Sequence, residues 1–322
     1  MGIRTLGVGA ALTLLAGCSG SLERGVPSSL PAPAPRSSLH QISRIDPAAR
    51  GKDLLYASSI YDCNVYVFTY PRGKPAQTLD ACGLGFGPAF GLCSDKDGDV
   101  FMGMAEGFSI FEYVHGGSQP IAQLQDDSLL PFGCSVDPKS GDLGVTSVES
   151  NVVIYKNASG TPQLYYLSGV EAFYFCTYDD RGNLFADGKH YDGSFALAEL
   201  PKGGNALREI SVPGSVGAGF ALQWDGRHVA LGTTRGSNEF VLDRIRVSGS
   251  AAKIVGTTTL TFAPNMPYST FQFWLHGGKI VQPENDNAEI GFWKYPRGGE
   301  EIREIPIQGS SLVGVTVSAA PR

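Results

Sequence analysis

An all-β chain made of one repeated sheet is the fold this sequence predicts, on three observations. First, 42 Gly and 20 Pro in 322 residues, against only 17% charged residues, supply many tight turns and little material for long amphipathic helices. Second, Phe90–Leu124 divides into four short apolar runs: Phe90–Asp95, Val100–Met104, Phe108–Tyr113 and Pro120–Leu124. Turn residues such as Lys96-Asp97-Gly98 and His115-Gly116-Gly117 separate them and leave no room for a helix. Third, the hairpin glycines at 98, 141, 182, 226 and 278 are 43, 41, 44 and 52 residues apart, the period of a four-stranded propeller blade. Together these predict a six-bladed β-propeller of four-stranded blades.

In chain order, residues 1–17 read as a signal peptide. Arg4 supplies a positive start, and Leu6–Leu15 an apolar core too short to span a bilayer. The segment ends Leu15-Ala16-Gly17-Cys18, which resembles the lipobox of bacterial lipoproteins. Ser19 after the Cys resembles the outer-membrane sorting pattern of Gram-negative members. The resemblance implies that Cys18 is acylated as the first mature residue and that the protein is exported and membrane-anchored. Several acyl chains, at about 0.8 kcal/mol per buried CH₂, hold such a protein on a membrane surface. Residues 18–52 continue as a Pro/Ser/Ala-rich tether, extended and semi-rigid at Leu30–Arg36.

The propeller is predicted over 53–322. Its first cycle lacks an inner strand: Leu54–Ser58, Val65–Tyr70 and Ala76–Leu79 match the second, third and fourth strands of the later cycles. Leu312–Ser318 matches a first strand and has no cycle of its own. The carboxy-terminal strand is therefore expected to complete blade 1 and close the ring, leaving no long unpaired edge. The blades then run 53–80 with 311–318, 88–125, 130–167, 172–212, 218–262 and 270–308. The longest interval is assigned to an extended loop, Phe262–Thr270. Tyr70-Pro71-Arg72-Gly73, Leu200-Pro201-Lys202-Gly203 and Tyr295-Pro296-Arg297-Gly298 mark hairpins between third and fourth strands.

Three residues before each hairpin Asp or its equivalent stand Leu92, Cys134, Cys176, Leu222, Phe273 and Val315. The next positions, Cys93, Ser135, Thr177, Gln223, Trp274 and Thr316, are mostly polar. This period-two alternation holds register through six copies. It makes Cys134 and Cys176 small core residues of the free-thiol kind. The run Gly91–Phe101, an apolar strand, Asp, a Gly turn and a second strand, resembles the blades of NHL-type and related six-bladed propellers, which include bacterial lipoproteins. That resemblance is architectural and implies no particular activity.

Apart from Cys18 there are five Cys, so internal pairing leaves at least one thiol. Cys63, in the loop between the second and third strands of blade 1, and Cys82, in the crossover to blade 2, fall on one face. An exported compartment allows a disulfide between them. No C-x-x-C, Walker loop, G-x-S-x-G elbow or H-E-x-x-H occurs, and the five His are scattered. Asp95-Lys96-Asp97-Gly98-Asp99 looks like part of a calcium loop but reads as a hairpin turn. Ligands of propellers usually sit at the mouth of the central channel. Loops on the Cys63 face bring Glu171, Asp187, Glu284, Asn285 and Asp286 there, with Glu284–Asn287 the densest acidic loop. Six-bladed lactonases of the gluconolactonase kind hold a divalent cation at that place with carboxylates and Asn. Their glutamate-led first-blade motif is absent here.

A formal net charge of −6 without a basic run argues against nucleic-acid binding. The sequence names no catalytic residue and predicts no cofactor. The expected function is that of a lipid-anchored, extracytoplasmic module or scaffold that binds a protein, glycan or small ligand. The competing reading is a metal-dependent hydrolase or lactonase with a divalent cation at the channel mouth.

Overall fold

The computed structural model describes residues 50–321 apart from 127–128, 215–218, 236–238, 263–271, 285–287 and 308–310. The expected signal peptide, Cys18, most of the tether, Asn285, Asp286 and most of the Phe262–Thr270 loop lie outside these residues. The described residues form a six-bladed β-propeller. From the axis outward, blade 1 is Leu312–Ser318, Leu54–Ser59, Asn64–Thr69 and Lys74–Asp80. Blade 2 is Ala89–Ser94, Val100–Met104, Ser109–Tyr113 and Ala122–Gln125, and blade 3 is Pro131–Val136, Leu143–Ser147, Asn151–Tyr155 and Gln163–Tyr166. Blade 4 is Val170–Tyr178, Leu184–His190, Phe195–Leu200 and Arg208–Glu209. Blade 5 is Gly219–Trp224, Val229–Arg235, Glu239–Ser248 and Ala251–Thr261, and blade 6 is Trp274–His276, Lys279–Glu284, Glu289–Lys294 and Arg303–Pro306. One strand was not expected: Gly299–Glu300 leaves blade 6 and pairs in parallel with the outer strand of blade 5, Leu260 opposite Gly299.

The ring closes as the repeat count requires. Leu54 pairs with Ser318, Tyr56 with Thr316 and Ala57 with Val315. His115 of blade 2 braces the closing strand through Nδ1 and Ser318 Oγ, 2.6 Å apart, and burial pushes its pKa down. The hairpin aspartates act as turn braces. Asp95 Oδ1 accepts from the backbone amides of Asp97 and Asp99, at 2.9 and 2.8 Å, and Asp137, Asp179 and Asp225 repeat the device.

Packing corrects the reading of the alternation. An apolar cluster fills each of the six seams between neighbouring blades. A propeller strand therefore buries both faces: Leu54 and Tyr56 pack toward blade 2, Leu55 toward blade 6. The polar positions Thr177, Gln223 and Thr316 are buried too. Thr177 and Thr316 survive burial by bonding across the seam. Thr177 Oγ1 accepts from the Trp224 amide at 2.9 Å, and Thr316 Oγ1 donates to Ser94 Oγ at 3.1 Å.

The cysteines need a second correction. Cys134 is not a free core thiol: it forms a disulfide with Cys93, joining the inner strands of blades 2 and 3. Cys93 stands at the place that Thr177 and Thr316 occupy in blades 4 and 1, so here the link across the seam is covalent. A second disulfide joins Cys63 and Cys82, and Cys176 is a buried thiol.

Candidate functional site

The axis is built from one position of each inner strand. Blades 1, 2 and 3 place Gly314, Gly91 and Gly133 there. A Cβ on Gly91 would stand 2.0 Å from the Phe132 carbonyl oxygen, and one on Gly314 2.1 Å from that of Phe90. Glycine thus lets three inner strands approach more closely than any side chain permits. Two other blades fill the space so narrowed. Gln272 of blade 6 reaches across blade 1, accepting from the amides of Leu92 and Val315 at 3.1 and 3.0 Å and donating to the Leu92 carbonyl at 2.6 Å. Phe175 of blade 4 lies over Gly133, its ring 5.2 Å from that of Phe132. Both side chains are buried, so the axis at this level is packed rather than open.

One residue before this layer, the inner strands carry Phe90, Phe132 and Tyr174 in blades 2, 3 and 4. Their rings form a half-buried row with centroids 4.3 and 5.3 Å apart. Beside it, Lys189 Nζ pairs with Glu171 Oε1 at 3.1 Å. Burial raises the Tyr174 phenol pKa, with Lys189 opposing it. The loops between second and third strands surround this row. Tyr61, Phe108 and Tyr191 lie in those loops, and Tyr166 ends the outer strand of blade 3 on the same side. These are four of the five exposed large apolar side chains among the described residues, so exposed apolar surface is concentrated on one face. Just before the third strand, Cys63, Phe108, Ser150 and Ala288 take φ of +58°, +56°, +67° and +52°. That conformation is costly for a residue with a Cβ, and it repeats around the same rim.

Of the sequence-predicted rim residues, the described ones, Glu171, Asp187 and Glu284, do not form one cluster. Glu171 is in blade 4 and engaged with Lys189. Glu284 is in blade 6, 7% exposed, and its carboxylate neighbours are Glu289 and Glu301. Burial, with the negative charge of Glu289 and Glu304, pushes Glu301 up to about 7. Glu289 was readable in the sequence as the residue opposite Glu284 across the hairpin. Glu301 was not, because it arrives with the unexpected strand. Asp187, expected in a loop at the channel mouth, is fully buried behind Phe175: its Oδ1 accepts from the Phe175 amide at 2.8 Å, and desolvation pushes it up to about 7. On the opposite face a groove of about 590 Å³ lies between blades 4 and 5, walled by Arg181, Trp224, Arg227, His228 and Arg246.

No family model and no curated protein matches the chain. Solved structures share its fold. A chain from a nidogen/laminin complex superposes with a TM-score of 0.67 at 14% identity, covering 84% of this chain and 100% of that one. A protein of unknown function from Bacteroides caccae gives 0.60 at 11% identity, covering 83% and 99%. U3-55K gives 0.54 at 13% identity, covering 79% of each. At such identities the likeness is one of architecture, and function has to be argued from the sites.

Proposed function

We propose that this chain is an exported, lipid-anchored binding propeller whose face of loops between second and third strands docks a protein partner. The observation that carries this reading is the gathering of aromatic side chains on that face. Phe90, Phe132 and Tyr174 form its centre, and Tyr61, Phe108, Tyr166 and Tyr191 surround it. Rigid aromatic side chains bring large contact area at low entropic cost and are enriched at interface hot spots. The likeness to a chain from a nidogen/laminin complex supports a protein as the partner. Two disulfides support an oxidising compartment, in line with acylation at Cys18 and the 18–52 tether. The packed axis supports binding over hydrolysis: Phe175 and Gln272 are buried there, and the rings of Phe90, Phe132 and Tyr174 lie one residue above them.

The test is photo-cross-linking in cells from a probe placed at the exposed Tyr166, on the same face. One discrete protein partner is expected. The Tyr61→Ser/Tyr191→Ser pair should lower its recovery about tenfold while the melting temperature stays put, since both side chains are exposed. Recovery that is unchanged in that variant would sink the reading, as would the lack of any partner above background. Replacing Cys18 with Ser should release the chain from the membrane fraction; continued membrane retention would remove the anchor.

A further inference from the structure

The seam between blades 5 and 6 carries a set of oxygen ligands that the aromatic face does not use. Three cross-strand pairs of blade 6 share the side turned to blade 5: Ile280 with Trp293, Gln282 with Gly291, and Glu284 with Glu289. Polarity rises along them from an apolar pair, through an amide, to two carboxylates. A third carboxylate, Glu301, directly follows the Gly299–Glu300 strand on blade 5. Oxygens of Glu284, Glu289 and Glu301 all lie within 4.8 Å of one another. Like charges gathered this closely oppose folding unless something offsets them.

Gln282 supplies the independent observation. Its side chain is fully buried, and among the described residues neither its amide nitrogen nor its amide oxygen has a hydrogen-bond partner. Native proteins complete such a group with water or an ion. The amide shares its strand face with Glu284, two residues on. Gly291 stands directly opposite it, and a Cβ there would lie 2.8 Å from Glu284 Oε1 and 2.3 Å from the Trp293 ring. Glu284 therefore folds back over the pair that Gln282 belongs to, and only glycine leaves room for it.

We infer that Glu284, Glu289, Glu301 and the Gln282 carbonyl oxygen bind a hard divalent cation, calcium by its donor set, that clips blade 6 to blade 5. Three carboxylates and an amide oxygen, with no His or Cys, are the donor set of calcium or magnesium rather than zinc. Calcium accepts an all-protein set of oxygens in flexible geometry, whereas magnesium demands a near-ideal octahedron and keeps several waters. The site joins two blades and lies apart from the packed axis.

The test uses the purified full chain, stripped with EDTA and titrated with CaCl₂ or MgCl₂ by calorimetry, with melting scans in parallel. One calcium per chain is expected, half-saturating at or below about 1 mM and raising the melting temperature by several degrees, with magnesium at least about tenfold weaker. Glu301→Gln and Gln282→Leu should each weaken calcium binding about tenfold or more. Glu301→Gln should also raise the melting temperature of the stripped chain, because it removes a repelling charge. Asp97→Asn, in the exposed hairpin turn, should leave the titration unchanged. The proposal is overturned by a wild-type melting temperature that ignores calcium, by calcium binding that survives both substitutions, or by tighter binding of magnesium.

Discussion

At the seam between blades 3 and 4, Thr146 donates to the Tyr174 carbonyl of the next blade at 2.6 Å and accepts from the Gly133 amide of its own at 3.0 Å. Ser135 accepts from the Tyr178 amide across the same seam at 3.1 Å. At the seam between blades 5 and 6, the Gln282 amide has no partner among the described residues and three carboxylates converge. Both seams stack antiparallel blades, but the second adds the Gly299–Glu300 strand that brings Glu301, and the two differ in the side chains placed on them. A hydroxyl fits the rigid ladder because it needs one donor and one acceptor, both of which the neighbouring backbone supplies. A carboxylate or carboxamide has a second polar atom that this ladder leaves over. Blade 4 sits between the two cases. Asp187 occupies the place of Thr146, uses one oxygen on the Phe175 amide, and leaves Oδ2 buried without a partner. Seams of the first kind should depend on packing and neutral hydrogen bonds, and seams of the second kind on protons or cations.

The harshest way to break this contrast is Gly91→Val. The added Cβ meets the Phe132 carbonyl oxygen at 2.0 Å, and backbone cannot yield without opening the seam between blades 2 and 3. A loss of about 4 kcal/mol or more is expected, read as a collapse of soluble yield or of the urea midpoint. A wild-type midpoint would show that the inner strands are not held tightly by glycine. Next comes the covalent latch. Replacing Cys93 and Cys134 together with Ala should cost about 4 kcal/mol for a separation of 41 residues, against about 3 kcal/mol for the Cys63/Cys82 pair at 19. If losing the inter-blade bond costs less than losing the other, it is not a seam latch.

Asp187 tests the intermediate case through pH. Its folded pKa, about 7, stands above the ordinary carboxyl value of 3.8, so the folded chain holds a proton that the unfolded chain releases. The stability it contributes is full below about pH 4 and is lost as pH rises through about 7, up to about 4 kcal/mol. Asp187→Asn should remove that part of the pH dependence; parallel wild-type and variant curves between about pH 4 and 8 would refute the assignment. The smallest effect is expected at Thr146→Val, about 1–3 kcal/mol from the Tyr174 carbonyl and Gly133 amide left unpaired. A neutral result in denaturant melts would mean that water replaces the latch.

Much of the fold was legible because a propeller writes the same sheet six times. The hairpin glycines, the braced aspartates and the unmatched Leu312–Ser318 run are local signals, each repeated where one alone would be weak. The seams were less legible. Thr177 and Thr316 look like solvent-facing alternates of a half-buried strand, yet a blade has no solvent face. Nothing local to Cys93 or Cys134 says that they meet, because their contact depends on how neighbouring blades are stacked. Of the acidic rim, Glu284 and Glu289 could be paired from their hairpin register. Glu301 could not, since a two-residue strand pairing with a different blade leaves no periodic trace.

By itself the sequence determined the number of blades, their order and the way the ends join. Those follow from hydrophobic period and turn chemistry, which act over a few residues. Only the tertiary structure decided what happens between blades: a packed axis, a disulfide in place of a hydroxyl bridge, an aspartate sealed behind Phe175, and carboxylates facing a buried amide. These depend on distances between residues far apart in the chain, where burial and partner supply, rather than residue type, set the cost of each polar group.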